Sequence, residues 1–298
     1  MSPRQKVETG VIYAASAFVI WGVIPIYWKE ALGGIDAVEI VMHRILWTLI
    51  FALAALAAWE RLPRLYEALT TRRSLMLLSV SAVLIAINWG IFIWAVTVGR
   101  IVETSLGYYI NPLVNFILGA VFLSERLTRV QLVAVALATL GVLNQTIALG
   151  YMPWVSLVLA VSFGFYGLIR KKVAVESLEG LTVESILLAP AALGYIVYLT
   201  ATKQGAFLHV NFMTDINLII AGPLTAIPLL LFAAATRLVR LSTIGFLQYL
   251  APSIALVIAV FMYDEPFTSA HAVTFAFIWA ALALITWEAL RRESYSAA

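Results

Sequence analysis

A chain of 298 residues that is 63% hydrophobic and 12% charged, with a mean hydropathy of +0.97, has too few charges to cover a water-soluble globule of its size. That composition excludes a soluble enzyme and a disordered tail, and the absence of cysteine excludes a disulfide scaffold. The net charge of +3 comes from scattered Lys and Arg, so nucleic acid is excluded as a partner; what remains is a polytopic protein of the lipid bilayer.

Crossing a bilayer takes about 20 apolar residues, and ten runs approach or exceed that length: 11–28, 38–59, 75–98, 104–124, 130–148, 153–170, 182–201, 215–236, 242–263 and 270–289. None alternates with the period of a barrel strand. Helices are left, because lipid offers no partner to a backbone N–H or C=O.

The first run is rich in aromatics (Trp21, Tyr27, Trp28) and ends without a small-x-small cleavage pattern, so it reads as a span and not as a signal peptide. Tyr27 and Trp28 at its end, with Trp154 and Trp287 further on, read as interfacial belt residues. The second run carries His43 and Arg44. A guanidinium inside a span costs at least about 2.5–3.5 kcal/mol on insertion scales and is normally paired or turned to water. Two readings stand: Arg44 holds a substrate carboxylate, with His43 donating to it or titrating, or Arg44 pairs with a nearby acid. Glu39 lies one helical turn before His43, near the end of the run.

The third run brings Asn88, Trp89 and Trp94. On the fourth, Tyr108, Asn111 and Asn115 fall at i, i+3 and i+7 on one helix face. An amide facing lipid is costly, so these point inward, to a substrate or to a neighbouring helix. Pro112 withholds an N–H from the carbonyl of Tyr108, and Pro252 in the ninth run does the same for Gln248. The two prolines are candidate hinge or gating points, with an ordinary packed kink as the alternative. The mid-span aromatics, among them Trp21, Trp89, Tyr108, Tyr166 and Tyr249, suit a cavity for amphipathic and aromatic solutes. Acidic residues (Glu39, Glu103, Glu125, Glu184, Asp264, Glu265) all fall near span ends, and Glu125 and Glu265 read as helix-end anchors. Proton coupling through a carboxylate therefore lacks its group, His43 is left as the mid-membrane titratable side chain, and facilitated uniport fits better.

With a cytoplasmic N-terminus, 15 of the 19 Lys and Arg fall in inside segments, 3 (Lys29, Arg100, Lys203) outside, and Arg44 within a span. This positive-inside bias expects both termini in the cytoplasm, in the plasma (inner) membrane. A shift of 140 residues brings Arg100 onto Arg240, Tyr109 onto Tyr249, Pro112 onto Pro252 and Glu125 onto Glu265. At 145, Trp21–Gly22 falls on Tyr166–Gly167 and Val38–Glu39 on Val183–Glu184. A duplicated unit of five helices must enter the membrane upside down the second time, the logic of many secondary transporters.

Five segments, IWGVIPIYWK (20–29), HRILW (43–47), INWGIFIWAV (87–96), SLGYYINPLVN (105–115) and GFLQYLAPS (245–253), together resemble the RarD-like branch of the EamA family in the drug/metabolite transporter superfamily. The resemblance covers nearly the whole chain. It implies an all-α integral membrane protein of ten transmembrane helices, in two inverted five-helix repeats (1–150 and 151–298) around a central cavity. Characterised relatives in that superfamily export amino acids, some favouring aromatic ones; others move nucleotide sugars, triose phosphates or drugs.

An enzyme lacks material: histidines stand at 43, 209 and 271, and neither HExxH nor Gly-x-Ser-x-Gly occurs. No metal or cofactor is expected. A phosphate compound would call for several buried cations and a lipophilic cation for a buried carboxylate; a zwitterion with an apolar side chain matches one arginine, a few amides and many aromatics. The expectation is an exporter of neutral, including aromatic, amino acids that works as a monomer. Its substrate site would draw on Trp21, His43, Arg44, Asn88, Trp89, Tyr108, Asn111, Asn115, Tyr166, Gln248 and Tyr249. An exporter of drugs or other small metabolites, with or without proton coupling, and a non-transporting receptor or assembly protein are the rival readings.

Overall fold

The computed structural model describes residues 3–124, 127–236, 238–239 and 247–296, and among them every regular element is helical. The helices are α1 (Pro3–Ile26), α2 (Ala37–Ala58), α3 (Leu62–Thr70), α4 (Arg72–Thr97), α5 (Ile101–Leu123), α6 (Arg129–Leu149), α7 (Trp154–Lys172), α8 (Ser177–Thr202), α9 (Phe212–Thr236), α10 (Leu250–Phe261) and α11 (Ser269–Ser296). Nine of the described spans are long and apolar enough to cross a membrane, and α10 is a shorter apolar helix. The chain is thus a multi-pass membrane protein.

Local chemistry sets the ends. Asp36 caps α2 by accepting from the N–H groups of Val38 and Glu39. Thr128 and Gln131 form a reciprocal capping box that starts α6. Pro25 removes a helical N–H near the end of α1, and the chain then winds Tyr27–Ala31 as a wider π turn. α3 is short and amphipathic, and it was not expected from the apolar runs. It buries Leu65 and Ala68 in a cluster with Ala52, Leu56, Leu78, Val173 and Leu178, closing one end of the bundle.

The ninth expected run differs most. Residues 242–246 lie outside the described residues, and Gln248 and Tyr249 form a turn before α10 begins. Pro252 is the third residue of α10, in the first turn, where a missing N–H removes no helical bond. The expectation that Pro252 frees a mid-helix carbonyl at Gln248 is therefore corrected; Pro112 does lie inside α5.

The most extensive packing joins α1 to α9 and α10, α2 to α8 and α9, α4 to α7 and α8, α5 to α7 and α10, and α6 to α11. Each pair takes one helix from residues 1–150 and one from 151–298. Exchanging α1 with α7, α2 with α8, α4 with α9, α5 with α10 and α6 with α11 returns the same set of pairs. Close approach depends on small residues. A Cβ at Gly222 of α9 would collide with the backbone of Trp47 and Thr48 on α2, and one at Gly107 of α5 would stand 2.8 Å from the Ser156 carbonyl on α7.

Candidate functional site

Arg44 sits on α2 at 7% exposure, and no carboxylate among the described residues stands within ion-pair distance of it. The expectation that a nearby acid pairs with it is not met: Glu39 instead accepts from the backbone N–H groups of Ala206 (2.7 Å) and Phe207 (3.1 Å), in the loop between α8 and α9. The guanidinium Nε donates to Thr225 Oγ1 on α9 at 2.7 Å. Thr225 spends its own proton on the Ala221 carbonyl (2.9 Å), which fixes its oxygen as an acceptor toward Arg44.

Aromatic rings form the walls. The guanidinium carbon lies 4.1 Å over the Trp89 ring of α4 and 5.5 Å from the Trp28 ring in the π turn. Trp28 is fully buried, so its expected place in the interfacial belt is corrected; its indole N–H has no partner among the described residues. Trp154 and Trp287 are exposed. Tyr108 of α5 packs edge-on against Phe92 and Phe163 and donates to Asn88 Oδ1 at 3.4 Å. The site thus gathers the π turn after α1 with α2, α4 and α9, and Tyr108 of α5 is linked to α4 through Asn88.

His43 is beside Arg44 in sequence and 1% exposed. Trp47 Nε1 donates to its Nδ1 at 3.2 Å, so that nitrogen carries no proton, and the hydrogen of the neutral ring belongs on Nε2. Nε2 is buried without a partner among the described residues, and the Phe207 ring lies 4.6 Å away, centroid to centroid. The Glu39–loop contact and the Phe207–His43 contact together draw the 203–211 segment down onto α2.

The amides expected in the site are brought together, but into a seam. Asn88 donates to the Leu159 carbonyl (3.1 Å) and Ser162 Oγ (3.0 Å), and Asn111 donates to the Ala160 carbonyl (3.0 Å) while accepting from Asn115 (3.1 Å). These bonds tie α4 and α5 to α7. Other expected residues lie apart from Arg44. Trp21 packs with Phe18 and Phe232 between α1 and α9. Tyr166 donates to Glu184 at 3.3 Å, and Tyr249 stacks on Tyr109, which bonds Ser253. Gln248 lies in the turn beside Tyr249.

Both ends of the bundle are tied. At the α3 end Arg61 pairs with Glu176 and with the buried Glu179 (2.7 Å), and Arg64 with Glu176 (2.8 Å). Glu184, 1% exposed, takes a bond from Ser81 (2.5 Å) and lies 3.7 Å from Arg170. At the other end Glu265 accepts from the N–H groups of Ile101 and Val102, both at 2.8 Å, and so anchors the start of α5. Glu125 lies outside the described residues.

Three contributors escaped the sequence reading: Trp28, Thr225 and Phe207. Thr225 lies between Pro223 and Pro228 in a run otherwise apolar, the one signal that pointed to it.

Comparison with known proteins agrees with a transport protein. A model of the EamA-like transporter family matches residues 8–144. The chain is 42% identical to an uncharacterized transporter of Vibrio cholerae, over 98% of this chain and 96% of that one. It is 42% identical to Protein RarD of Escherichia coli over 96% of both chains, and 32% identical to the chloramphenicol-sensitive protein RarD of Pseudomonas aeruginosa over 95% of both. A solved crystal structure, 17% identical, superposes with a TM-score of 0.60 over 93% of this chain and 97% of that chain, a likeness of fold.

Proposed function

Because this chain belongs to the EamA-like transporter family, in its RarD-like branch, we propose that it exports neutral amino acids, aromatic ones included, with the substrate carboxylate held by Arg44. The family makes it a membrane transporter of the drug/metabolite superfamily and points to transport rather than to catalysis. The substrate reading rests on one observation: a buried guanidinium among the described residues has aromatic walls and a threonine, but no protein anion. A desolvated cation left without a counter-charge is destabilising, and an arriving carboxylate relieves that cost. The free planar edge of the guanidinium suits two-pronged recognition of a carboxylate.

An amino acid also brings an ammonium group. Pro228 leaves the carbonyl of Leu224 without a helical donor, one residue from Thr225, and Pro112 does the same for Tyr108. Both carbonyls are candidates to receive the ammonium, while Trp28, Trp89 and Tyr108 accommodate an apolar side chain. The exchange-symmetric packing of the two halves supports two inverted five-helix repeats, 1–150 and 151–298, rocking about this site. His43, with Nδ1 occupied by the Trp47 N–H, supports uniport over proton coupling.

Uptake of labelled phenylalanine, threonine and methionine into proteoliposomes, with and without a pH gradient, tests the proposal. Saturable uptake without a gradient, lost in Arg44→Gln protein that remains monodisperse, supports it. Uptake that requires a proton gradient overturns uniport. Uptake indifferent to Arg44→Gln overturns the carboxylate site. The relative named for chloramphenicol sensitivity favours a second substrate class, an uncharged drug. Labelled chloramphenicol, which has no carboxylate, belongs in the same assay, and its transport would survive Arg44→Gln.

A further inference from the structure

At the α3 end of the bundle the arginines fall into two groups. Arg61, Arg64 and Arg170 each face an acid on or just before α8: Glu176, Glu179 or Glu184. Arg72 and Arg73, at the start of α4, and Lys172, at the end of α7, face none: among the described residues no carboxylate stands within ion-pair distance of any of them. All three are exposed, and together they rim one shallow notch of about 440 Å3 whose floor is Met76 and Leu77.

The notch opens onto the outer surface of α4. Above it run Met76, Val80, Val83 and Ile87, spaced at i, i+4, i+7 and i+11, with exposures of 61%, 52%, 55% and 45%. That spacing draws one continuous apolar stripe up the helix, away from the cations. A cationic rim that joins an apolar stripe at the end of a transmembrane helix has the polarity of one ligand class.

We propose that Arg72, Arg73 and Lys172 bind the phosphodiester of an anionic phospholipid whose acyl chain lies along the Met76–Ile87 stripe. Two arginines and one lysine supply the positive charge and the N–H donors that a phosphate takes. Each such cation near an anionic headgroup contributes roughly fivefold in affinity, so three give about a hundredfold over a zwitterionic lipid with the same chains. A free anion would use the rim but gain nothing from the stripe. The site is separate from Arg44, and its test does not depend on the transported solute.

The experiment is native mass spectrometry of the delipidated full chain, titrated with phosphatidylglycerol, with phosphatidylethanolamine of matched chains, and with inorganic phosphate. One phosphatidylglycerol is expected to be retained about a hundredfold more tightly than phosphatidylethanolamine. The Arg72→Gln/Arg73→Gln/Lys172→Gln protein is expected to lose that preference, and a Lys6→Gln/Arg129→Gln control at the same end to keep it. If the triple variant does not fold, Lys172→Gln alone is expected to weaken the preference by roughly fivefold. An unchanged preference in the variants, or no preference in the parent chain, overturns the proposal. So does full displacement of the lipid by millimolar phosphate, which would assign the rim to a free anion.

Discussion

A planar cation over an indole ring, bonded through one nitrogen to a threonine, is a different object from a point charge, and Arg44 is held as the former. Arg44→Lys keeps the charge but loses the face that lies on Trp89 and the Nε–Thr225 bond. Initial-rate measurements in proteoliposomes are expected to show a KM raised roughly tenfold or more, with Arg44→Gln worse. Thr225→Val removes the acceptor and leaves the shape. A bond to a charged group is worth about 1.5–3 kcal/mol, so a rise in KM of at least roughly tenfold is expected. Thr225→Ser, which keeps the hydroxyl, should restore most of it. If valine and serine behave alike, the hydrogen bond does not position Arg44.

At the scale of helices, the site exists because α2 and α9 touch at backbone distance. Gly222→Ala drives a methyl into the backbone of Trp47 and Thr48, beside both His43 and Arg44. Overpacking of that kind costs about 1–3 kcal/mol. A melting temperature lowered by several degrees, together with impaired transport, is the expected pair of results; an unchanged melt would mean that the crossing is looser than it looks. Glu265→Gln tests a different joint. The carboxylate takes two N–H groups at the start of α5, while an amide offers one oxygen. A loss of about 1 kcal/mol, read as roughly 2–4 °C in a thermal melt, is expected.

The same scale shows what the sequence makes legible. Apolar runs located the spans because a bilayer demands length and apolarity, and the misplaced charge of Arg44 announced itself. Trp28 was misplaced because the π turn at Tyr27–Ala31 resets the helical phase after Pro25, and periodicity cannot foresee such a turn. α3 leaves no mark among the apolar runs because its nine residues are amphipathic and too short to span a bilayer. Asn111 is legible as inward-facing and Asn88 as a site candidate, but their partners are carbonyls on α7, 49 and 71 residues away, which no local pattern encodes. Phe207 and Thr225 reach the site from further still, Thr225 from 181 residues beyond Arg44.

For the molecule as a whole, the charge distribution expects both termini, and α3, on the cytoplasmic side. The chain has no cysteine, so single reporters need no engineered background. Tyr66→Cys on α3 and His209→Cys in the loop after α8 both stand at exposed positions. A membrane-impermeant thiol reagent applied to intact cells is expected to label His209→Cys and to reach Tyr66→Cys only after permeabilisation. The reverse pattern would turn the protein over in the membrane.

The pairing of every major helix with one from the opposite half also bears on how the protein is made. α2 emerges early and carries a guanidinium into the membrane, yet Thr225 on α9 is synthesised 181 residues later. During that interval Arg44 has neither its threonine nor the α2–α9 seam, so the half-made chain is at its least comfortable while it is being inserted. Assembly must wait for the second half, and each half alone presents unmatched surfaces to lipid. The two halves, expressed as separate polypeptides, should therefore find each other, and neither should survive for long without its counterpart.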